Sequence, residues 1–139
     1  VGYCVWDCRS KLKPEYSELS GNEIRDLRYA GKEVSEEIRS PLLGYLGDST
    51  SRGLDEYPTF YETRILITEM TFVAPNHRKE KIRKHGHMHL NDYVERQERF
   101  QNECLIAAHF STRYHEKQIR RLVEKALPGM LDNRLHLWL

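Results

Sequence analysis

The chain has 139 residues and a mass of 16.5 kDa, which is one domain's length with a modest core. Hydrophobic residues at 39% and charged ones at 31% exclude a disordered or membrane-embedded chain, and no apolar run approaches the roughly 20 residues that span a bilayer. Twenty-two Lys and Arg against 21 Asp and Glu give a formal net charge of +1, so only a local patch could attract a nucleic acid.

The chain begins at Val1 without a methionine, and the expectation is that residues upstream have been removed and that the chain is a piece. Residues 2–8 read as a strand, aromatic and β-branched, with no signal peptide. Cys4, Cys8 and Cys104 are few and odd in number, which argues against a disulfide framework and for a reducing, cytoplasmic compartment. Cys4 and Cys8 fall on one face of an extended strand but lack a second pair at zinc-finger spacing, so they read as buried or idle thiols.

Ser20 is placed to cap a short helix through Asn22–Arg28 that stops at Gly31. Leu42 to Leu46 is an apolar run ending at Gly47-Asp48, and residues 49–60 form a Ser/Gly/Asp/Pro loop long enough for a functional rim. Arg64–Thr68 and Cys104–Ala108 are buried-strand patterns that stop at Glu69 and at His109. Between them Asn76–Lys84 and Asn91–Gln101 read as helices, the second capped by Asn91 or Asp92. Ile119, Leu122, Val123, Ala126 and Leu127 make the clearest helical stripe, which Pro128-Gly129 ends, and Leu135–Leu139 reads as a closing strand. Apolar strands alternating with helices predict an α/β layered fold.

Chemistry stands at the strand ends. The segments are Gly47-Asp48-Ser49-Thr50, Thr68-Glu69-Met70-Thr71-Phe72, Gly86-His87-Met88-His89-Leu90 and Ala108-His109-Phe110-Ser111-Thr112-Arg113-Tyr114. A carboxylate after a Gly turn can bridge two divalent cations; by itself Gly47-Asp48 reads equally as a surface turn. His109 is either a metal ligand or a core histidine bonded to a carbonyl. His85, His87 and His89 alternate and would share one face of an extended segment. They could carry protons or ligate, or could line a solvated loop. Residues 77–85 hold five Lys and Arg, including Arg78, Lys79, Lys81 and Lys84, and are either an RNA-attracting patch or an ordinary solvated face.

Taken in order, these segments resemble the second half of ribonuclease Z, the transfer-RNA 3′-processing endonuclease of the metallo-β-lactamase superfamily. Leu19–Leu27 is similar to that family's Leu-Pro-Gly segment. The resemblance implies half of an αββα sandwich, a mixed sheet with flanking helices, with residues 1–139 as the C-terminal part of a single domain. It implies that Asp48 bridges two zinc ions, with manganese as an alternative metal, and that His109 binds one of them. Glu69 and His87 correspond to a pair in which the carboxylate orients an imidazole that protonates the leaving oxygen. Ser111 and Arg113 fall in a segment suited to phosphate.

The sequence departs from the family pattern at His89, where threonine is usual, and in lacking a Pro-x-Lys-x-Arg segment before Gly47. No His-x-His-x-Asp-His string, the family's main source of zinc ligands, occurs in the 139 residues. The expectations are therefore an endoribonuclease acting on precursor tRNA when complete, an isolated piece that cleaves nothing, and an apolar sheet face covered by the missing N-terminal half or by a second copy in a homodimer. The alternatives are a related hydrolase of a small ester or phosphodiester and a non-catalytic interaction domain.

Overall fold

Short apolar runs flanked by helices can bury both faces only as parallel strands joined by crossovers, and the computed structural model has that arrangement. It describes residues 1–75 and 86–139. The chain divides into two compact units, one of residues 1–5 and 41–139 and one of residues 6–40.

The sheet order is β1-β2-β3-β4-β5, with β1 at Gly2–Leu12, β2 at Ser35–Leu46, β3 at Ile65–Glu69, β4 at Cys104–Ala108 and β5 at Leu135–Leu137. β2, β3, β4 and β5 pair in parallel, with Leu46 opposite Thr68, Thr68 opposite Ala107 and Glu69 opposite Ala108. The connections carry α2 (Arg52–Glu56), α3 (Thr59–Glu62), α4 (Leu90–Val94), a 3₁₀ turn at Gln97–Arg99, α5 (Glu116–Ala126) and α6 (Pro128–Asn133). One sheet face, with Leu66 and Leu105 fully buried, packs on Ile119, Val123 and Leu127 of the predicted stripe. The other face, with Leu43, Ile65 and Cys104 in one register row and Tyr45, Ile67 and Ile106 in the next, is only half-buried or exposed.

The smaller unit holds the outer parts of β1 and β2, a 3₁₀ turn at Pro14–Tyr16 and α1 (Gly21–Tyr29). Ser20 caps α1 as expected, in a reciprocal box with Glu23. Gly31 follows with φ of 77°, the left-handed conformation that ends such helices. Val34 is its buried apolar residue, and the Arg39 guanidinium lies 5.2 Å from the Trp6 ring centre.

Several boundaries move. β1 continues past residue 8 to Leu12, and Leu42–Leu46 proves to be the end of a strand that starts at Ser35, because polar, exposed strand residues leave no apolar alternation to read. The 49–60 loop folds into α2 and α3, whose Leu54, Phe60 and Tyr61 enter the core. The expected Asn91–Gln101 helix breaks after Val94. Arg96 and Arg99 are drawn to Asp55, Arg96 through its Nη2 at 2.7 Å, and the Tyr61 hydroxyl donates to the same carboxylate at 3.1 Å. Arg96 beside it holds the Asp55 carboxyl below its usual range. Pro128 ends α5 but also starts α6, where its missing N–H costs nothing. The Asn76–Lys84 helix lies outside the described residues.

None of the helices among the described residues is long and apolar enough to cross a membrane.

Gly44 in β2 sits where an added Cβ would lie 2.8 Å from the Phe60 ring and 3.1 Å from Leu66. We expect Gly44→Ala to lower stability by about 1–3 kcal/mol through overpacking, read as a lower urea midpoint with an unchanged slope.

Candidate metal centre

Parallel strands end together, and in open α/β sheets the rim beyond their carboxyl ends is where side chains converge. Here the register that sets Leu46 beside Thr68 and Glu69 beside Ala108 brings Asp48, Glu69, Thr71 and His109 to that rim. Segment 87–90 reaches it by running alongside 72, with the Phe72 N–H donating to the Met88 carbonyl at 3.2 Å and the Leu90 N–H to the Phe72 carbonyl at 2.8 Å.

Glu69 is the buried foundation, its side chain 2% exposed. Its Oε1 accepts from the Ser49 N–H at 2.9 Å and pairs with His87 Nδ1 at 3.0 Å, while the Thr71 hydroxyl donates to Oε2. Glu69 and Thr71 are two apart in extended backbone, so they share a face. Its backbone carbonyl accepts from the Tyr93 hydroxyl at 2.7 Å, and burial pushes the Tyr93 phenol far up, so that it remains a neutral donor. An ionised carboxylate accepts only, so the network assigns the His87 proton to Nδ1 and leaves Nε2 for other chemistry.

His109 follows β4 directly with φ of 58°, a left-handed conformation that costs a non-glycine residue roughly 1–2 kcal/mol. It is held there from both sides, by the Met70 N–H on the Ala108 carbonyl and the Ser111 N–H on the Thr71 carbonyl. Its Nδ1 lies 3.1 Å from the Thr71 hydroxyl and 3.4 Å from Asp48 Oδ1. Its ring stacks on His87 with centres 5.4 Å apart.

Asp48, His87 and His109 each offer a ligand atom, all within 4.8 Å of one another. Exposure rises from Glu69 at 2% through His87 at 22% to His109 at 51% and Asp48 at 63%. The ligand atoms are thus open to solvent, while the carboxylate that orients them is not. One carboxylate and two imidazoles suit a borderline divalent cation, and a buried carboxylate behind a histidine is how a protein fixes a ligating or proton-carrying ring.

The remaining expected residues go elsewhere. His89 is buried: its Nδ1 accepts from the Asn91 N–H at 3.0 Å and its Nε2 donates to the Ala74 carbonyl at 2.9 Å. It is therefore the cap of α4, the place given to Asn91 or Asp92 on sequence, and Asp92 is the third helical residue of the same capping box. Ser111 sits beside the site through its backbone, and the exposed Arg113 sends its N–H to Ser111 Oγ at 3.5 Å. Arg78, Lys79, Lys81, Lys84 and His85 lie outside the described residues. Sequence reasoning gave no role to Thr71 or to the Ser49 N–H. The two-residue spacing of Glu69 and Thr71 was a usable signal for the first, but no sequence signal marks a backbone donor.

No family model matches the chain. It is 36% identical over 136 residues to the tRNase Z TRZ1 of Arabidopsis thaliana, covering 96% of this chain and 48% of that protein. It is 31% identical over 126 residues to the chloroplastic tRNase Z TRZ2 of the same plant, covering 89% and 36%. The chain thus spans half or less of the length of the curated relatives it matches. The crystal structure of the metallo-beta-lactamase fold protein YhfI from Bacillus subtilis superposes with a TM-score of 0.52 at 14% identity, over 76% of this chain and 42% of that one. The fold is that of the metallo-β-lactamases, as the resemblance implied, and that fold is one built around metal ions.

Thr71→Val should remove a donor from a buried carboxylate and lower stability by about 1–3 kcal/mol. Thr71→Ser should restore most of it, as measured by chemical denaturation of both variants.

Proposed function

We propose that this chain is the C-terminal part of a tRNase Z-like, zinc-dependent endoribonuclease that removes the 3′ trailer of precursor tRNA once the rest of its domain is present. The observation that carries this is the convergence of Asp48, His87 and His109 within 4.8 Å over the buried Glu69, in a chain similar along nearly all its length to tRNase Z proteins.

Asp48 and His109 would hold the metal, with Asp48 as the bridging carboxylate and manganese able to replace zinc. A catalytic zinc generally takes three protein ligands, so a two-zinc site needs more than this chain offers. The N-terminal part of the domain would supply them from a His-x-His-x-Asp-His string. When bound, the metal supplies Lewis acidity and a water nucleophile at neutral pH.

Glu69 turns His87 so that Nδ1–H faces the carboxylate and Nε2 carries the proton delivered to the 3′-oxygen as the phosphodiester breaks. Ser111 and Arg113 would hold the neighbouring phosphate, by a hydroxyl and a guanidinium fork. Arg78, Lys79, Lys81 and Lys84 would draw RNA toward the rim. The half-covered sheet face that carries Tyr45, Ile67 and Ile106 supports a covering layer, which we assign to the missing half of the domain, with a second copy of the chain as the competing occupant. The three cysteines are free thiols, in keeping with a reducing compartment such as the cytoplasm.

In the full-length protein, Asp48→Ala should lose bound zinc and abolish trailer cleavage, measured by metal analysis and a precursor-tRNA assay. His87→Ala should keep its zinc while kcat falls by roughly 10²- to 10⁴-fold; loss of zinc in this variant would make His87 a ligand instead of a proton carrier. Residues 1–139 alone should bind zinc weakly in isothermal titration, and tight stoichiometric binding there would show that no further ligands are needed.

A further inference from the structure

Two segments bring the candidate ligand Asp48 and the neighbouring His87 imidazole to the rim: the turn after β2, with Asp48, and the turn before α4, with His87. Glu69 ties them from inside the sheet, through the Ser49 N–H and His87 Nδ1. A second tie between the two turns lies behind the first. Asp92 Oδ1 accepts from the Ser51 hydroxyl at 3.1 Å, and Asp92 Oδ2 accepts from the His89 N–H at 2.8 Å. Ser51 is three residues after Asp48 and His89 two after His87. The Asp92 side chain is 24% exposed, with the Arg96 guanidinium 3.8 Å away, so its hydrogen bonds are less open to water than those of a surface pair.

We propose that Asp92 is a positioning residue that locks the Asp48 turn to the His87 turn, fixing the separation of their side chains; its consequence for metal binding rests on the function proposed above. The ties differ in kind. Glu69 contacts His87 itself, whereas Asp92 touches no ligand and acts through Ser51 and the His89 backbone.

The chemistry of the clamp predicts an unusual pattern of rescue. Asp92→Ala removes both acceptors. Asp92→Asn keeps one oxygen for the His89 N–H and turns its NH₂ to the Ser51 hydroxyl, which can accept as well as donate. Asparagine should therefore preserve the clamp without the charge. Ser51→Ala breaks the same link from the other side, at the half-buried residue preceding α2, whose side chain makes no cap hydrogen bond to that helix, and should add nothing to Asp92→Ala.

The test is cobalt(II) titration of the full-length protein, followed by its visible absorption, together with ¹H–¹⁵N spectra of the histidine rings in the metal-free state. Because the turn that carries the ligand Asp48 loses its hold, cobalt affinity should fall roughly tenfold in Asp92→Ala and Ser51→Ala, by analogy with outer-shell partners of metal ligands, and stay within twofold of wild type in Asp92→Asn. The His87 ring signals should move in the two alanine variants and return in Asp92→Asn. Unchanged cobalt affinity in Asp92→Ala, or an Asn variant as impaired as the Ala one, would overturn the clamp while leaving the proposed function in place. A wild-type protein that binds no cobalt would overturn the proposed function, and the ring signals would then decide the clamp alone: shifted and rescued supports it, unshifted refutes it.

Discussion

The buried carboxylate of Glu69 is the constraint around which this rim is organised. Moving an ionised carboxylate out of water costs several kcal/mol unless donors replace its hydration, and no single neighbouring segment could supply them. The donors come from three places: a backbone N–H after β2, a hydroxyl two residues on in the chain, and an imidazole 18 residues further along the sequence. Satisfying one charge thus forces three distant stretches of sequence to the same point. Tyr93, fully buried and held neutral, fixes the backbone of Glu69 itself, so the carboxylate has little freedom to follow its donors.

The parallel sheet makes this convergence affordable in chain length. β2, β3 and β4 finish within a residue or two of one another in register, so the first polar residues past each strand meet without long loops. The cost appears as backbone strain at His109. A histidine in the left-handed region persists only where its surroundings hold it, and the hydrogen bonds of the Ala108 carbonyl and the Ser111 N–H on either side do so. A glycine would adopt the same backbone freely but would bring no imidazole to Asp48.

The two faces of the sheet differ in how far they are covered. One is sealed by α5 and α6, with Leu66, Leu105 and Leu135 wholly buried; the other presents apolar rows that are only half-covered. The missing half invoked in the proposed function would bring both cover for this face and coordinating groups for the rim, and the matched relatives, covered over 48% and 36% of their length, are longer than this chain.

Much was legible in the sequence, because it depended on neighbours along the chain. The Ser20 cap with Glu23 three residues later, the α5 stripe from Ile119 to Leu127, and the apolar runs ending at Glu69 and His109 are local patterns, and each gave its element. The ends of β1 and β2 differ because exposed polar strand residues carry no alternation, and at α4 a distant residue intervened. Asp55 captured Arg96 and Arg99 and broke the expected helix after Val94. His89 took the capping place because the Ala74 carbonyl, 15 residues away, engaged its other nitrogen. By itself the sequence determined which residue types stand at the strand ends, since strand length and polarity are encoded locally. Only the tertiary structure decided that His87 turns to Glu69 while His89 turns away, and that Thr71, Ser49 and Asp92 complete the arrangement. Those choices follow from which donors a buried charge finds in space, a quantity that no local stretch of chain contains.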